Sequence, residues 1–274
     1  MMRFQQYPIG MIGCITCLAI ASLSGKDAAV SGLYEERGSD PTFQELVEQG
    51  KLPEGKNTKA GVTGSSVKVN HKNVEILPEA KRPIPQEIKL HTLLNSSIPL
   101  SDFGNWTRWY QEDGNTQIFR LFKGEENRRN ERELAGRVEA FSMMNWTEAD
   151  GKWHEWSGVV TAIKPTGSIF QVKSTIEGPA MMMMMNEEGD LIFNPRRGKD
   201  ITVAQKLIGK PFHLRVLDNG KNYEVFFNEK KVGEGMYDRP KSPTSFRWGM
   251  YVGANPIRYD AMILFSGVTF KEVK

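Results

Sequence analysis

From residue 117 to residue 270 the chain is a succession of short runs rich in Val, Ile, Phe, Tyr and Trp, each closed by turn residues. The runs are 117–122, 137–142, 155–163, 169–175, 180–185, 190–193, 212–217, 223–227, 246–252 and 262–270. Runs of this length and composition predict β-strands. Asn186-Glu187-Glu188-Gly189 and Asp218-Asn219-Gly220-Lys221 read as hairpin turns, because Gly and Asn tolerate positive φ. No stretch sustains the 3.6-residue period of a long amphipathic helix. Strands at this spacing predict an all-β domain of two packed antiparallel sheets.

The N-terminal part differs. Arg3 is its one early charge, and an apolar run follows from Ile9 to Leu23. That run falls short of the about 20 residues a membrane span needs. Ala19-Ile20-Ala21 has the small-x-small form of an export cleavage site. Residues 1–21 are therefore expected to be a signal peptide. The chain is expected to be secreted or periplasmic, and off the membrane after cleavage. Cys14 and Cys17 both fall in this segment, so the mature chain is expected to hold no disulfide and no thiolate nucleophile. Residues 22–90, rich in Gly, Lys, Glu and Pro, read as a flexible linker or a strap over the sandwich. A short helix is expected at 41–49, and the folded domain at 91–274.

The chain carries 36 Lys and Arg against 33 Asp and Glu, which gives no case for nucleic acid from bulk charge. His71, His91, His154 and His213 have no metal-ligand spacing. There is no phosphate loop and no Gly-x-Ser-x-Gly elbow. No metal and no cofactor are expected. The charged segment 125–133 reads as a solvated loop or as the basic rim of a groove.

Three strands carry polar residues within apolar runs. Side chains alternate between the faces of a strand. Arg137 and Glu139 therefore share a face, as do Gln171 and Lys173, and Arg247, Gly249 and Tyr251. The opposite faces hold Phe170 and Val172, and Phe246, Trp248 and Met250. The polar faces form either an ordinary solvated surface or a site. In the run Met181–Met185, alternate methionines also face opposite ways. Core packing accounts for one set. The other places flexible thioethers in a groove, and Met183 is expected among the substrate-binding residues.

These segments resemble those of polysaccharide lyase family 7, typified by alginate lyases. Arg137-Val138-Glu139 is similar to that family's Arg-x-Glu strand, and Gln171-Val172-Lys173 to its Gln-Ile/Val-His strand. Phe246-Arg247-Trp248-Gly249-Met250-Tyr251 is similar to its Phe-Lys-Ala-Gly-Val-Tyr strand, and the order agrees. The likeness spans roughly residues 100–270. Phe141 stands where the family has a second arginine, and Lys173 where it has histidine. The resemblance implies a concanavalin-like jelly-roll sandwich and β-elimination from a uronic-acid polymer, an acidic polysaccharide, by a monomer.

It assigns Arg137 and Gln171 to the substrate carboxylate, and Tyr251 to proton donation and, in some cases, abstraction. Glu139, Arg247 and Met183 are assigned to substrate binding. Lys173 acts as base if its pKa is lowered, and otherwise clamps the uronate. Two alternatives stay open. One is a non-catalytic carbohydrate-binding module on the same fold. The other is a glycoside hydrolase using Glu139, for which no partner carboxylate stands at a defined spacing.

Overall fold

A computed structural model describes residues 34–36, 67–69, 77–93, 98–102, 108–123, 136–240, 242–253 and 255–273. The helix expected at 41–49, the charged segment 125–133 and the apolar N-terminus lie outside them. Among the described residues no helix is long and apolar enough to cross a membrane.

The strands are β1 (Tyr34–Glu36), β2 (Val67–Val69), β3 (Ile88–His91), β4 (Ile98–Pro99), β5 (Tyr110–Asp113) and β6 (Thr116–Leu121). They continue with β7 (Gly136–Ser142), β8 (Trp153–Lys164), β9 (Gly167–Ser174), β10 (Pro179–Met185), β11 (Leu191–Pro195) and β12 (Ile201–Ala204). The last are β13 (Phe212–Asp218), β14 (Asn222–Phe227), β15 (Lys230–Met236), β16 (Thr244–Gly253) and β17 (Ala261–Val273). An eight-stranded sheet has the order β12-β11-β10-β9-β16-β7-β3-β4. A seven-stranded sheet has the order β15-β14-β13-β8-β17-β6-β5. Their pairings are antiparallel, which gives the two-sheet jelly roll expected from the strand pattern. The two last strands, β16 and β17, each lie in the middle of a sheet, between strands formed much earlier in the chain.

The core is the layer between the sheets. Trp156 of β8 packs on Phe170 of β9 at 4.7 Å and on Trp248 of β16 at 5.9 Å between ring centroids. Within it Trp248 Nε1 donates to Gln117 Oε1 at 2.9 Å, and Gln117 Nε2 donates to Tyr110 Oη at 2.9 Å. A buried ion pair closes one end, with Arg239 Nη2 donating to Asp218 Oδ2 at 2.6 Å and both side chains fully buried. Trp146 Nε1 and the Gly220 amide donate to Asp218 Oδ1 at 2.6 and 2.7 Å. Trp146 bridges the backbone of Thr244, so this cluster fixes the start of β16.

The segment before residue 91 contributes to the fold. Ile88 and Leu90 of β3 are core residues, so the expected boundary at 91 falls on the last residue of a sheet strand. The turn Pro78–Lys81 packs on β17, and Glu79 O meets the backbone at Gly267, where a Cβ has no room. Val69 of β2 joins Ile118, Ile163, Met262 and Leu264 in a second apolar cluster. Its amide donates to Asp113 Oδ2 at 2.7 Å.

Candidate active site

Register brings the polar residues of the eight-stranded sheet onto one face. Arg247 of β16 lies opposite Phe141 of β7 on one side and Gln171 of β9 on the other. Gln171 lies opposite Met182 of β10, which lies opposite Asn194 of β11. A parallel row places His91 of β3 opposite Glu139 of β7, and Glu139 opposite Gly249 of β16. Tyr251 lies opposite Arg137, with the Arg137 guanidinium carbon 5.5 Å from the tyrosine ring centroid. Lys173 lies one alternation beyond Gln171, opposite Ser245. Arg137, Glu139, Gln171, Lys173, Arg247 and Tyr251 thus share a face.

Glycine at 249 makes this arrangement possible. Its φ is +128°, and a Cβ there would strike Val138 O and stand 2.9 Å from Glu139 Cα. The register of β16 against β9 shifts between Trp248 and Tyr251. A bulge of this kind re-aims the side chains that follow it, here Tyr251.

Glu139 is the electrostatic centre. It is 2% exposed and accepts a hydrogen bond from Gln171 Nε2 at 2.6 Å. Burial raises its pKa, and the charges of Arg247, Arg137 and Lys173 and the Gln171 hydrogen bond oppose that rise. Lys173 is lowered, first by burial and then by Arg247, with Arg137 and Arg196 adding to the effect and Glu139 opposing it. Burial also lowers Arg247, which remains a cation. Its guanidinium carbon lies 5.0 Å from the Phe141 ring centroid. The Nε atoms of Arg137 and Arg247 are buried without a hydrogen-bond partner. Arg137 and Arg247, joined by Lys173 when it is protonated, outweigh the one carboxylate and leave a positive patch with unspent donors, which suits an anionic ligand.

Met183 is a correction. It is fully buried, in register with Phe170 on the core face. Period-two alternation sends Met181, Met183 and Met185 inward, and Met182 and Met184, both half-buried, take the polar face instead. The sequence reading missed His91, whose ring centroid lies 6.5 Å from that of Phe141. Its signal is the alternation in Ile88-Lys89-Leu90-His91, which the expected boundary at 91 cuts before its last residue.

The other described histidines stand on the second sheet. His154 stacks on Trp146 at 4.5 Å, and His213 bonds Ser157 and Glu229. No cluster of His, Cys, Asp or Glu able to hold a metal occurs among the described residues. Glu139 is the one carboxylate on strands β3, β7, β9, β10, β11 and β16. A glycosidase needs two flanking the scissile bond.

Two antiparallel sheets packed on a common core define a jelly roll. Solved alginate lyases, members of polysaccharide lyase family 7 among them, share this fold. No protein-family model matches the sequence, and no curated protein is significantly similar. Alginate lyase AlgAT5 of polysaccharide lyase family 7 superposes with a TM-score of 0.55 at 14% identity, over 69% of this chain and 95% of that one. The family 7 alginate lyase A1-II′, in a variant bound to product, gives 0.57 at 11% identity, over 72% and 99%. The alginate lyase from Corynebacterium sp. gives 0.55 at 12% identity, over 69% and 95%. At these identities the likeness is one of fold.

Proposed function

We propose that this protein is a polysaccharide lyase that cleaves a uronic-acid polymer by β-elimination. The observation that carries this reading is the convergence of Arg137, Gln171, Lys173 and Tyr251 on one face around a single buried carboxylate. The shared fold with alginate lyases supports it. β-Elimination needs the substrate carboxylate neutralised, a base for the C5 proton and an acid for the leaving oxygen.

Gln171 and Arg137 hold the carboxylate, so charge developing at C5 delocalises into it. The neutral amine of Lys173 takes the C5 proton. The C5–H electrons become the C4=C5 double bond as the C4–O4 bond breaks. The leaving O4 receives the Tyr251 proton, and the ammonium of Lys173 returns a proton to the tyrosinate through solvent. Glu139 holds the Gln171 amide in place and balances part of the cationic charge. Action outside the cytoplasm fits the apolar run Ile9–Leu23.

The lysine at position 173 also suits a second reading, a binding module that grips uronates without cutting them. Incubation with alginate, glucuronan and heparin-like polymers separates the two. Lyase action yields an unsaturated uronate, read as rising ultraviolet absorbance. Tyr251→Phe is expected to lower that rate by about 10²–10⁴. Full activity in Tyr251→Phe refutes the mechanism. Reducing ends without absorbance point to hydrolysis, and retention on the polymer with neither signal points to the binding module.

A further inference from the structure

The polar face does not end at Lys173. Asn194 of β11 lies opposite Met182, and the strand continues through Pro195 to Arg196, whose amide donates to Ala180 O at 3.2 Å. Alternation places Ile192, Asn194 and Arg196 on the same side as Met182 and Gln171. Lys173 of β9 lies opposite Pro179 of β10. Arg196 therefore stands two strands along from Lys173, about 10 Å at the usual strand spacing. Its charge is one of those acting on Lys173.

Arg197 follows, and both guanidinium carbons lie 5.6 Å from the Tyr237 ring centroid. Tyr237 is itself fixed, its hydroxyl donating to Glu177 O at 3.2 Å. The neighbouring acids are otherwise engaged: Glu177 with Ser174 and Ser242, and Asp200 with Asn194. Among the described residues neither guanidinium pairs with a carboxylate. Both arginines are exposed. An aromatic ring with two cations held against it, unneutralised and open, binds an anion beside a sugar face.

We propose that Arg196 and Arg197, held against Tyr237, form a second anion subsite for a sugar flanking the one that reacts. Its ligand is a carboxylate or a sulfate ester on that flanking sugar. Met182 and Met184 form the apolar floor between the subsites. This rests on the reading of the face as a polyanion site.

The test measures binding of size-defined oligouronates, from disaccharide to hexasaccharide, by calorimetry in a Tyr251→Phe background where nothing is cut. A parallel ladder carries sulfate esters. Arg196 and Arg197 are exposed, so the double change Arg196→Ala/Arg197→Ala is expected to leave the melting temperature unchanged. With both arginines present, affinity is expected to rise about tenfold at one particular added sugar, the scale of two exposed charge contacts. In the double variant that step is expected to vanish while the shortest oligomer binds as before. A step lost only in the sulfated ladder assigns the subsite to sulfate, and one lost in the plain ladder to carboxylate. Persistence of the step, or an equal loss at every length, overturns the proposal. Absence of unsaturated product from the unmodified protein would instead sink the lyase reading, because the binding ladder needs no turnover.

Discussion

The buried pair Asp218–Arg239 permits a quantitative test of how the site is supported. Asp218 Oδ1 takes the two neutral donors, Trp146 Nε1 and the Gly220 amide, while Oδ2 takes Arg239 Nη2. An Asp218→Asn side chain that keeps its oxygen at Oδ1 retains both neutral bonds and presents an N–H₂ to the guanidinium. The substitution therefore isolates the ion pair. Leaving one charge of such a pair buried and uncompensated costs about 3–5 kcal/mol. For a domain of this size each kcal/mol lowers Tm by about 2–4 °C, so the fall should be about 6–20 °C. Arg239→Met should cost a similar amount by orphaning the carboxylate. The double variant should cost clearly less than the sum, since neither charge remains. Thermal unfolding followed by circular dichroism measures all three. A loss below about 1 kcal/mol for either single change, or strict additivity, would refute the claim that this pair anchors the entry to β16.

Other outcomes follow from the face assignments and from Lys173. Lys173 is lowered by burial and neighbouring cations, so kcat/KM should rise with pH along a limb below the ordinary lysine value of about 10.4, and Lys173→Met should abolish that limb. The stability sign agrees. The unfolded chain holds the lysine proton to higher pH than the folded one, so stability should also rise through the window between the two pKa values. A limb that persists unchanged in Lys173→Met would exclude lysine as the base. Met183→Ala should cost about 2–5 kcal/mol in denaturant unfolding as a core cavity, while Met182→Ala on the polar face should cost less than about 1 kcal/mol. Gly249→Ala should lower stability by at least about 1–3 kcal/mol and reduce activity, because a Cβ pushes β16 off the backbone at Val138 and Glu139. Wild-type melting in that variant would contradict the close approach.

The strands that the sequence pattern revealed are those with a partner strand on both sides. All ten expected runs are strands, and they include every inner strand of both sheets except β3. The strands it missed in the sandwich are chiefly edges: β4, β5, β12 and β15. Edge strands are kept short, charged or glycine-bearing against unwanted pairing, which erases the alternation that makes a strand readable. Lys230-Lys231-Val232-Gly233-Glu234-Gly235-Met236 shows this plainly. The shared faces of Arg137 with Glu139, Gln171 with Lys173, and Arg247 with Tyr251 were legible because period two is a local property. Which of the two methionine sets faced the core was not, because it depends on pairing with Phe170. His91 was hidden for a related reason, since β3 gains its meaning only beside β7.

The central placement of β16 and β17 sets an order of events for the newborn chain. Before residues 244–273 arrive, β9 and β7 lack their shared neighbour, and so do β8 and β6. Each sheet is then two half-sheets with bare inner edges, and the candidate site lacks Arg247 and Tyr251. Closure waits for residues 244–273, when two long strands enter, one into each sheet, and bridge contacts far apart in sequence. Such late, non-local pairing slows folding. It would also leave any product cut short before residue 244 edge-exposed in both sheets and without two residues of the candidate site.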